Sequence, residues 1–390
     1  MKICDLTQFY SPVSGGVRRY IEQKVTYLRR HRPDCRHVLV IPGETTGSTG
    51  DDFARVYTIA SPLISRTSRY RALLKLHLVE EALERERPDI IESGDPYQLA
   101  WKAIASGKGL NLPVVGFYHS HFPEAYIRSV AKYFGKTATA MAEDMSSRYV
   151  RTLYNHFART FVPSPILTNL LSEWGVERLE NIDLGVDEEI FCPSDAPVDA
   201  IRREHEVPEG AFLLLYVGRL AAEKNVTTLF DAFRVLHAHS PGKYHLLAVG
   251  DGSLRSSLLR LKEETGAVSR LQFCQDAEQL ADLYRAADLF VHPGIQETFG
   301  LVTLESQASG TPVVGIRGSY MDRIIFSNQV HWATENTPES LAAAIEAKSG
   351  QDLREIGLQA SHMARSQYSW KTVFHRILTI YDDVITKFER

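Results

Sequence analysis

Glu297 and Glu305 stand eight residues apart in the stretch HPGIQETFGLVTLESQASGTPVV, residues 292–314. A carboxylate accepts well from two adjacent hydroxyls, so an acid in a loop suits the hydroxyls of a sugar. A second acid about one turn into a helix suits a diol such as a ribose. Between them Thr298-Phe299-Gly300 reads as a turn, and a helix is predicted from Leu301. The N–H groups of Phe299 to Leu301 would then face an anion. The plain alternative is one loop acid and one surface acid.

Other clusters carry compatible chemistry. GRLAAEKNVTTL follows the apolar run AFLLLYV and supplies Gly218, Arg219 and Lys224 just before a helix. A guanidinium can grip a phosphate bidentately, an ammonium adds a point charge, and a helix start adds N–H groups, which together suit a diphosphate. Gly250, Asp251 and Gly252 form another close-approach turn, assigned to donor binding, with Ser253 as a candidate N-cap; it could equally be only a strand-to-helix turn. Gly15 and Gly16 precede a helix that is expected to begin at Val17, where backbone can approach a ligand closely. That run is not G-x-G-x-x-G, so a dinucleotide fingerprint is absent. His119 and His121 follow the strand-like PVVGFY, and a histidine there can donate to a substrate hydroxyl or a leaving oxygen near neutral pH. No third ligand stands at a telling spacing, so no metal site is expected. Asp276 reads as a helix cap.

The elements that must position these residues follow from pattern and composition. The chain has 390 residues, 44% hydrophobic and 24% charged, which is more than one core comfortably supports. A net charge of -4 argues against a dedicated nucleic-acid binder. Cys4, Cys35, Cys192 and Cys274 are far apart and read as reduced thiols of a cytoplasmic protein. MKICDLTQFY is too short and polar for a signal peptide, and no apolar run reaches the length of a spanning helix.

KICDLTQFY, RHVLVI, DIIES, PVVGFYH and TFVPS read as buried strands, separated by helical patterns such as GVRRYIEQKVTYLRRH and SRYRALLKLHLVEEALERER. The series restarts with AFLLLYVG, YHLLAVG, LQFCQ, LFVHP and TPVVG. Strands alternating with helices mean parallel sheets covered on both faces. Two such series predict two doubly wound α/β domains, joined at about residue 195 where Pro193 to Pro197 break the pattern. Ligands of such sheets bind beyond the carboxyl ends of the strands, which is where every cluster above falls.

The motifs G-R-L-x-x-E-K-N, V-G-D-G and H-P-G-x-x-E-T-F-G-L-x-x-x-E-x-x-A-x-G-x-P-V-V resemble those of the retaining glycosyltransferases of family 4. The resemblance extends over nearly the whole chain, including LGVDEEIF and a last helix TVFHRILTIYDDVITKF. It implies a GT-B fold, two Rossmann-like domains facing a central cleft and closing over the donor. The domains would be an acceptor-side domain at 1–195, a nucleotide-sugar domain at 196–370, and a helix at 371–390 that crosses back to the first. It implies transfer of a hexose from a UDP- or GDP-sugar, with retention, no metal and no further cofactor. By position, Arg219 and Lys224 would bind the diphosphate, Glu297 the transferred sugar, and Glu305 the ribose. Phe299, Gly300 and Leu301 would offer backbone contacts, Gly16 would approach a phosphate, and His119 would contact the donor sugar. Two loops depart from the family pattern, Cys274-Gln275-Asp276 and Met321-Asp322, so donor choice is less defined than the family.

HSHFPEAYIRSVAKYFGK is similar to a segment of members that glycosylate membrane lipids. Between Ala54 and Val79 there are cations but no acid, among them Arg66, Arg69, Arg71 and Lys75, with Leu73, Leu74 and Leu76 alongside. A basic amphipathic segment can lie on an anionic bilayer, which would place the enzyme at the inner face of the membrane. His121, Tyr126 and Arg128 are assigned to the same acceptor or membrane side, and Arg128, Lys132 and Lys136 share one helical stripe. A soluble or phosphorylated acceptor explains the cations equally, as do simply solvated faces. A sugar-nucleotide epimerase of the same architecture and a non-catalytic sensor are the competing activities. Oligomeric state is not legible.

Overall fold

The computed structural model describes all residues except 11–14, 65–68, 275, 296, 327–328 and 389–390, and the side chains of 122–137 and 329 also lie outside the described set. The chain forms two compact units, Met1–Leu184 with Trp370–Arg390, and Gly185–Ser369.

The first unit is built on β1 (Lys2–Leu6), β2 (Arg36–Gly43), β3 (Gly47–Gly50), β4 (Ala54–Ala60), β5 (Ile90–Ser93), β6 (Val114–Phe117), β7 (Thr160–Val162) and β8 (Leu179–Asn181). They form one sheet in the order β3-β4-β2-β1-β5-β6-β7-β8, parallel except where β3 pairs with β4. The interior strands are buried on both faces, as continuous apolar runs require. The helix Gly16–His31 follows β1 and buries Tyr20, Ile21, Lys24 and Leu28, one face at a spacing of three and four. The final helix Trp370–Phe388 belongs to this unit and buries Trp370, Val373, Phe374, Ile377, Leu378, Tyr381 and Val384.

One expectation here needs correcting. The helix read from Ser68 begins only at Leu76 and ends at Glu86. Before it, Ile64 N donates to Tyr70 O at 2.8 Å and Ala72 N to Pro62 O at 3.0 Å, with Leu63 bridged to Arg71. Arg69 has φ 52°, a left-handed backbone that does not continue a helix. Among the described residues the basic stretch from Ala54 is thus the strand β4, a bridge between Leu63 and Arg71, and a helix that starts only at Leu76.

The second unit is a five-stranded parallel sheet of β9 (Phe212–Val217), β10 (Tyr244–Val249), β11 (Val268–Leu271), β12 (Leu289–Val291) and β13 (Val313–Val314), in the order β11-β10-β9-β12-β13. Strand order reverses between β9 and β12, so the loops leaving these two neighbours flank the switch point where such sheets bind ligands. Helix Val226–His239 buries Val226, Leu229, Phe230, Phe233 and Leu236, the face its spacing predicts. The strand expected at LQFCQ ends where that run begins, at Leu271. Asp276 accepts from Gln279 N at 2.9 Å and caps its helix. Ser253 does not cap: the N-cap position of helix Arg255–Thr265 is Leu254, without a side-chain bond.

The units divide at Leu184, ahead of the proline-rich stretch near 195. Residues 185–192 are held to the second unit by Val186 N donating to Tyr368 O at 2.7 Å, and by Arg285, which donates to Ile190 O at 2.6 Å and Cys192 O at 2.9 Å.

Candidate functional site

In the second unit the two loops at the switch point are tied together. Asn225 adopts a left-handed backbone, φ 55°, between the short 3-10 turn Ala222–Lys224 and helix Val226–His239. From there its Nδ2 donates to Pro293 O at 2.8 Å and to Asn336 Oδ1 at 2.7 Å. This holds the loop after β9 against the loop after β12, and Lys224 Nζ donates to Glu297 Oε1. Burial pushes the Glu297 carboxyl up, but Lys224 outweighs it and the group sits below its ordinary value. Glu297 is thus ionised, the form that accepts from hydroxyls. Arg219 is more exposed, ion-paired to Glu223 at 3.4 Å, and its carbonyl accepts from Tyr216 OH at 2.9 Å.

Gly300 opens the helix Leu301–Ala308 with φ 88°, and a Cβ there would meet Met321 Sδ at 2.2 Å. Only glycine satisfies both the backbone and the packing. Within the first turn Thr303 N and Leu304 N both donate to Gly300 O, and the earlier N–H groups are the orphans that every helix start presents. The Phe299 ring is buried under Arg323, whose guanidinium lies 5.3 Å from the ring centroid, so its side chain serves the core. Glu305 is buried at 1% exposure and accepts from Tyr284 OH at 3.4 Å.

The Gly-Asp-Gly turn has a packing reason of its own. A Cβ on Gly250 would lie 1.9 Å from Gly218 O, and one on Gly252 would lie 2.3 Å from Leu220 O. These glycines let the loops after β9 and β10 touch backbone to backbone, with Leu220 N donating to Asp251 O at 2.9 Å. Asp251 itself pairs with Arg270 at 3.2 Å.

In the first unit, His119 stands two residues beyond β6. Its ring stacks on Phe117 at 3.9 Å and 2°, and meets Tyr20 edge-on at 5.0 Å. Burial, and next the Lys24 ammonium, lower its pKa to about 3, so the imidazole is neutral and can donate to a hydroxyl. His121 is anchored differently: Tyr118 OH and His121 Nδ1 are 2.9 Å apart, and its ring stacks on Trp174 at 5.7 Å. Burial lowers it to about 4. Gly15 and Gly16 are exposed, and among the described residues a Cβ on Gly15 would meet nothing within 4 Å, so none of them demands glycine there. Helix Gly16–His31 begins one residue ahead of the position expected.

Of the acceptor-side residues, Arg71 donates to Ser61 O at 2.9 Å and to Glu44 Oε1 at 2.6 Å, while Arg69 and Lys75 are exposed. Arg66 and the side chains of Tyr126 and Arg128 lie outside the described residues. Among the described residues no group of histidine, cysteine or acidic side chains could hold a metal ion, and no helix is long and apolar enough to cross a membrane. No two of the four cysteines form a disulfide.

Asn225 and His292 escaped the sequence reading. His292 directly follows β12, as His119 follows β6, so the same strand-end rule finds it. It is 5% exposed beside Gly294 and next to Glu297, whose charge partly offsets the lowering of its pKa by burial.

Comparison with known proteins identifies the family and the fold. Residues 14–190 match the family described as Glycosyltransferase Family 4, and residues 197–355 match Glycosyl transferases group 1. The chain is 28% identical to a GDP-mannose-dependent alpha-mannosyltransferase of Corynebacterium glutamicum, covering 100% of this chain and 91% of that protein. It is 28% identical to a GDP-mannose-dependent alpha-(1-6)-phosphatidylinositol dimannoside mannosyltransferase of Mycobacterium tuberculosis, covering 88% and 87%. Among solved structures, sucrose-phosphate synthase from Thermosynechococcus elongatus superposes with a TM-score of 0.77 over 99% of both chains at 18% identity. That likeness speaks for the fold, which is GT-B.

Proposed function

We propose a specific transfer for a chain that belongs to glycosyltransferase family 4. It is a glycosyltransferase that uses a nucleotide sugar. The finer reading is that it moves mannose from GDP-mannose, with retention, to a hydroxyl on the headgroup of a membrane lipid. The observation that carries the donor side is the Lys224–Glu297 pair at the switch point of the second unit, beside the helix start at Leu301. The GDP-mannose dependence named for both relatives supports the donor. Mannose is α-linked in GDP-mannose, so an α-mannoside product means retention.

In this reading Arg219 and Lys224 stabilise the charge that develops on the leaving diphosphate, and the N–H groups at the start of helix Leu301–Ala308 add to them. These fixed cations do the work that a divalent ion does elsewhere, so donor binding needs no metal. Ionised Glu297 accepts from the hydroxyls of the transferred hexose, Glu305 from the ribose, and neutral His119 donates to the sugar. Gly15-Gly16 lets backbone approach a phosphate. The acceptor attacks on the face from which the phosphate leaves, and the departing phosphate oxygen takes its proton.

The lipid acceptor is supported by the phosphatidylinositol dimannoside named for the mycobacterial relative. It is also supported by Leu63, Ile64 and Leu74, exposed at 45%, 68% and 62% beside Arg69 and Lys75, a pairing that suits an anionic membrane face. A soluble phosphorylated acceptor is the second reading, favoured by Arg69 and Lys75, whose exposed charges suit a phosphate as well as a membrane face. Incubation with labelled GDP-mannose or UDP-glucose, with phosphatidylinositol vesicles or inositol phosphate, separates them. Label from GDP-mannose in the organic phase supports the lipid reading, and label only on the soluble acceptor replaces it.

A further inference from the structure

We infer that Tyr20 is a positioning residue for His119, locked by a buried charge network that reaches Tyr381 on the final helix. Asp5 on β1 and Glu92 on β5 are partners in the strand register, so two buried carboxylates lie side by side. Like charges in a shared dry site repel unless a cation sits between them. Lys24 is that cation: it is 0% exposed, with Nζ 2.8 Å from Asp5 Oδ1 and 2.9 Å from Glu92 Oε1. His37 Nε2 adds a contact to Asp5 Oδ2 at 2.8 Å. Burial pushes the Asp5 carboxyl up, but Lys24 and His37 outweigh it and lower it to about 2.

Two phenols close the network. Tyr20 OH donates to Glu92 Oε2 at 3.2 Å, Tyr381 OH donates to the same oxygen, and Lys24 Nζ donates to Tyr381 OH at 3.2 Å. Tyr20 is thereby fixed at its tip by Glu92 and at its face by Lys24 Nζ, 4.6 Å from the ring centroid. Phe374 and Trp370 of the final helix lie 5.6 Å and 6.2 Å from it. Its ring also packs edge-on against Phe117 at 4.8 Å and His119 at 5.0 Å. Among the described residues nothing hydrogen-bonds to the His119 ring, so its pose rests on Tyr20 and Phe117.

This inference rests on the reading of His119 as a contact to the donor sugar. A reacting group displaced by about 1 Å can lose about 100-fold in rate. The test is a double-mutant cycle in the transfer reaction, with kcat and the KM for the nucleotide sugar read separately. His119→Ala is expected to lower kcat about 100-fold. Tyr20→Leu is expected to lower kcat about 10-fold or more, as ring support is lost, with KM for the donor nearly unchanged. In the His119→Ala background Tyr20→Leu is expected to cost nothing further. An equal loss in both backgrounds, or a wild-type kcat for Tyr20→Leu alone, overturns the positioning role. A wild-type rate for His119→Ala overturns the reading beneath it as well. If Tyr20→Leu does not fold, the pair Tyr20→Phe with Tyr381→Phe enters the cycle in its place: it keeps both rings, removes both donors to Glu92 Oε2, and is expected to lower kcat only where His119 is present.

Discussion

Lys224 donates to Glu297 across 73 residues of sequence, joining the loop that leaves β9 to the loop that leaves β12. The pair has two consequences. It keeps a partly buried carboxylate ionised, and it fixes a cation beside a helix start. A site for a negatively charged diphosphate next to a polyhydroxyl ring needs both.

Lys224→Ala and Glu297→Ala should each lose most transfer, about 100-fold to 1,000-fold in kcat, while leaving the fold intact. Steady-state transfer and a thermal melt on the same samples check this. Near-normal turnover in either variant contradicts the site.

Gly300→Ala should be costly on its own. The substitution forces a left-handed backbone on alanine and drives its Cβ into Met321 Sδ, which together predict a loss of about 1–3 kcal/mol or more. Adding Met321→Ala should relieve only the steric part. Urea denaturation of the single and double variants separates the two.

Gly15 and Gly250 should respond oppositely. Gly250→Ala meets Gly218 O and should destabilise the second unit severely, whereas Gly15→Ala meets nothing and should leave the melting temperature unchanged. If Gly15 serves donor approach, its alanine variant should still weaken GDP-mannose binding, as measured by calorimetry.

Acid should cost the first unit the stability held by its two neutral histidines, against an opposite contribution from Asp95, which burial pushes up to about 6. Burial lowers the pKa of His119 to about 3 and of His121 to about 4, from a usual 6.5. The unfolded chain therefore takes up protons that the folded chain refuses. The stability from each neutral ring is full above about pH 6.5 and is lost as pH falls towards those values. Melts from pH 7.5 to 5 should show the decline, and His121→Asn should make it shallower. An unchanged slope would mean that His121 titrates normally.

The strand-end placement of Gly218, Lys224, Glu297 and Gly300 was legible because each lies in a short motif that follows an apolar strand. Other parts were not. GSTG of β3 is exposed along its whole length and carries no apolar alternation, so nothing marks it as a strand. The run from Ser68 has helical spacing, yet its first residues pair back onto Pro62 to Ile64 and the helix starts late. Lys24 reads as one more cation on a solvated helix. Its burial depends on Asp5 and Glu92 meeting on neighbouring strands 87 residues apart, a fact of tertiary pairing alone. The motif marks Gly250 as a close-approach turn, but not the packing that requires it, where a Cβ would meet Gly218 O.

The most direct test of the central claim is product formation from GDP-mannose and phosphatidylinositol vesicles by the wild-type chain and by Glu297→Ala, with the anomeric configuration read by NMR. The account predicts an α-mannosyl lipid from the wild type and at least about 100-fold less from the variant. Intact GDP-mannose after prolonged incubation, or a β-mannoside, or equal product from both proteins, would contradict it.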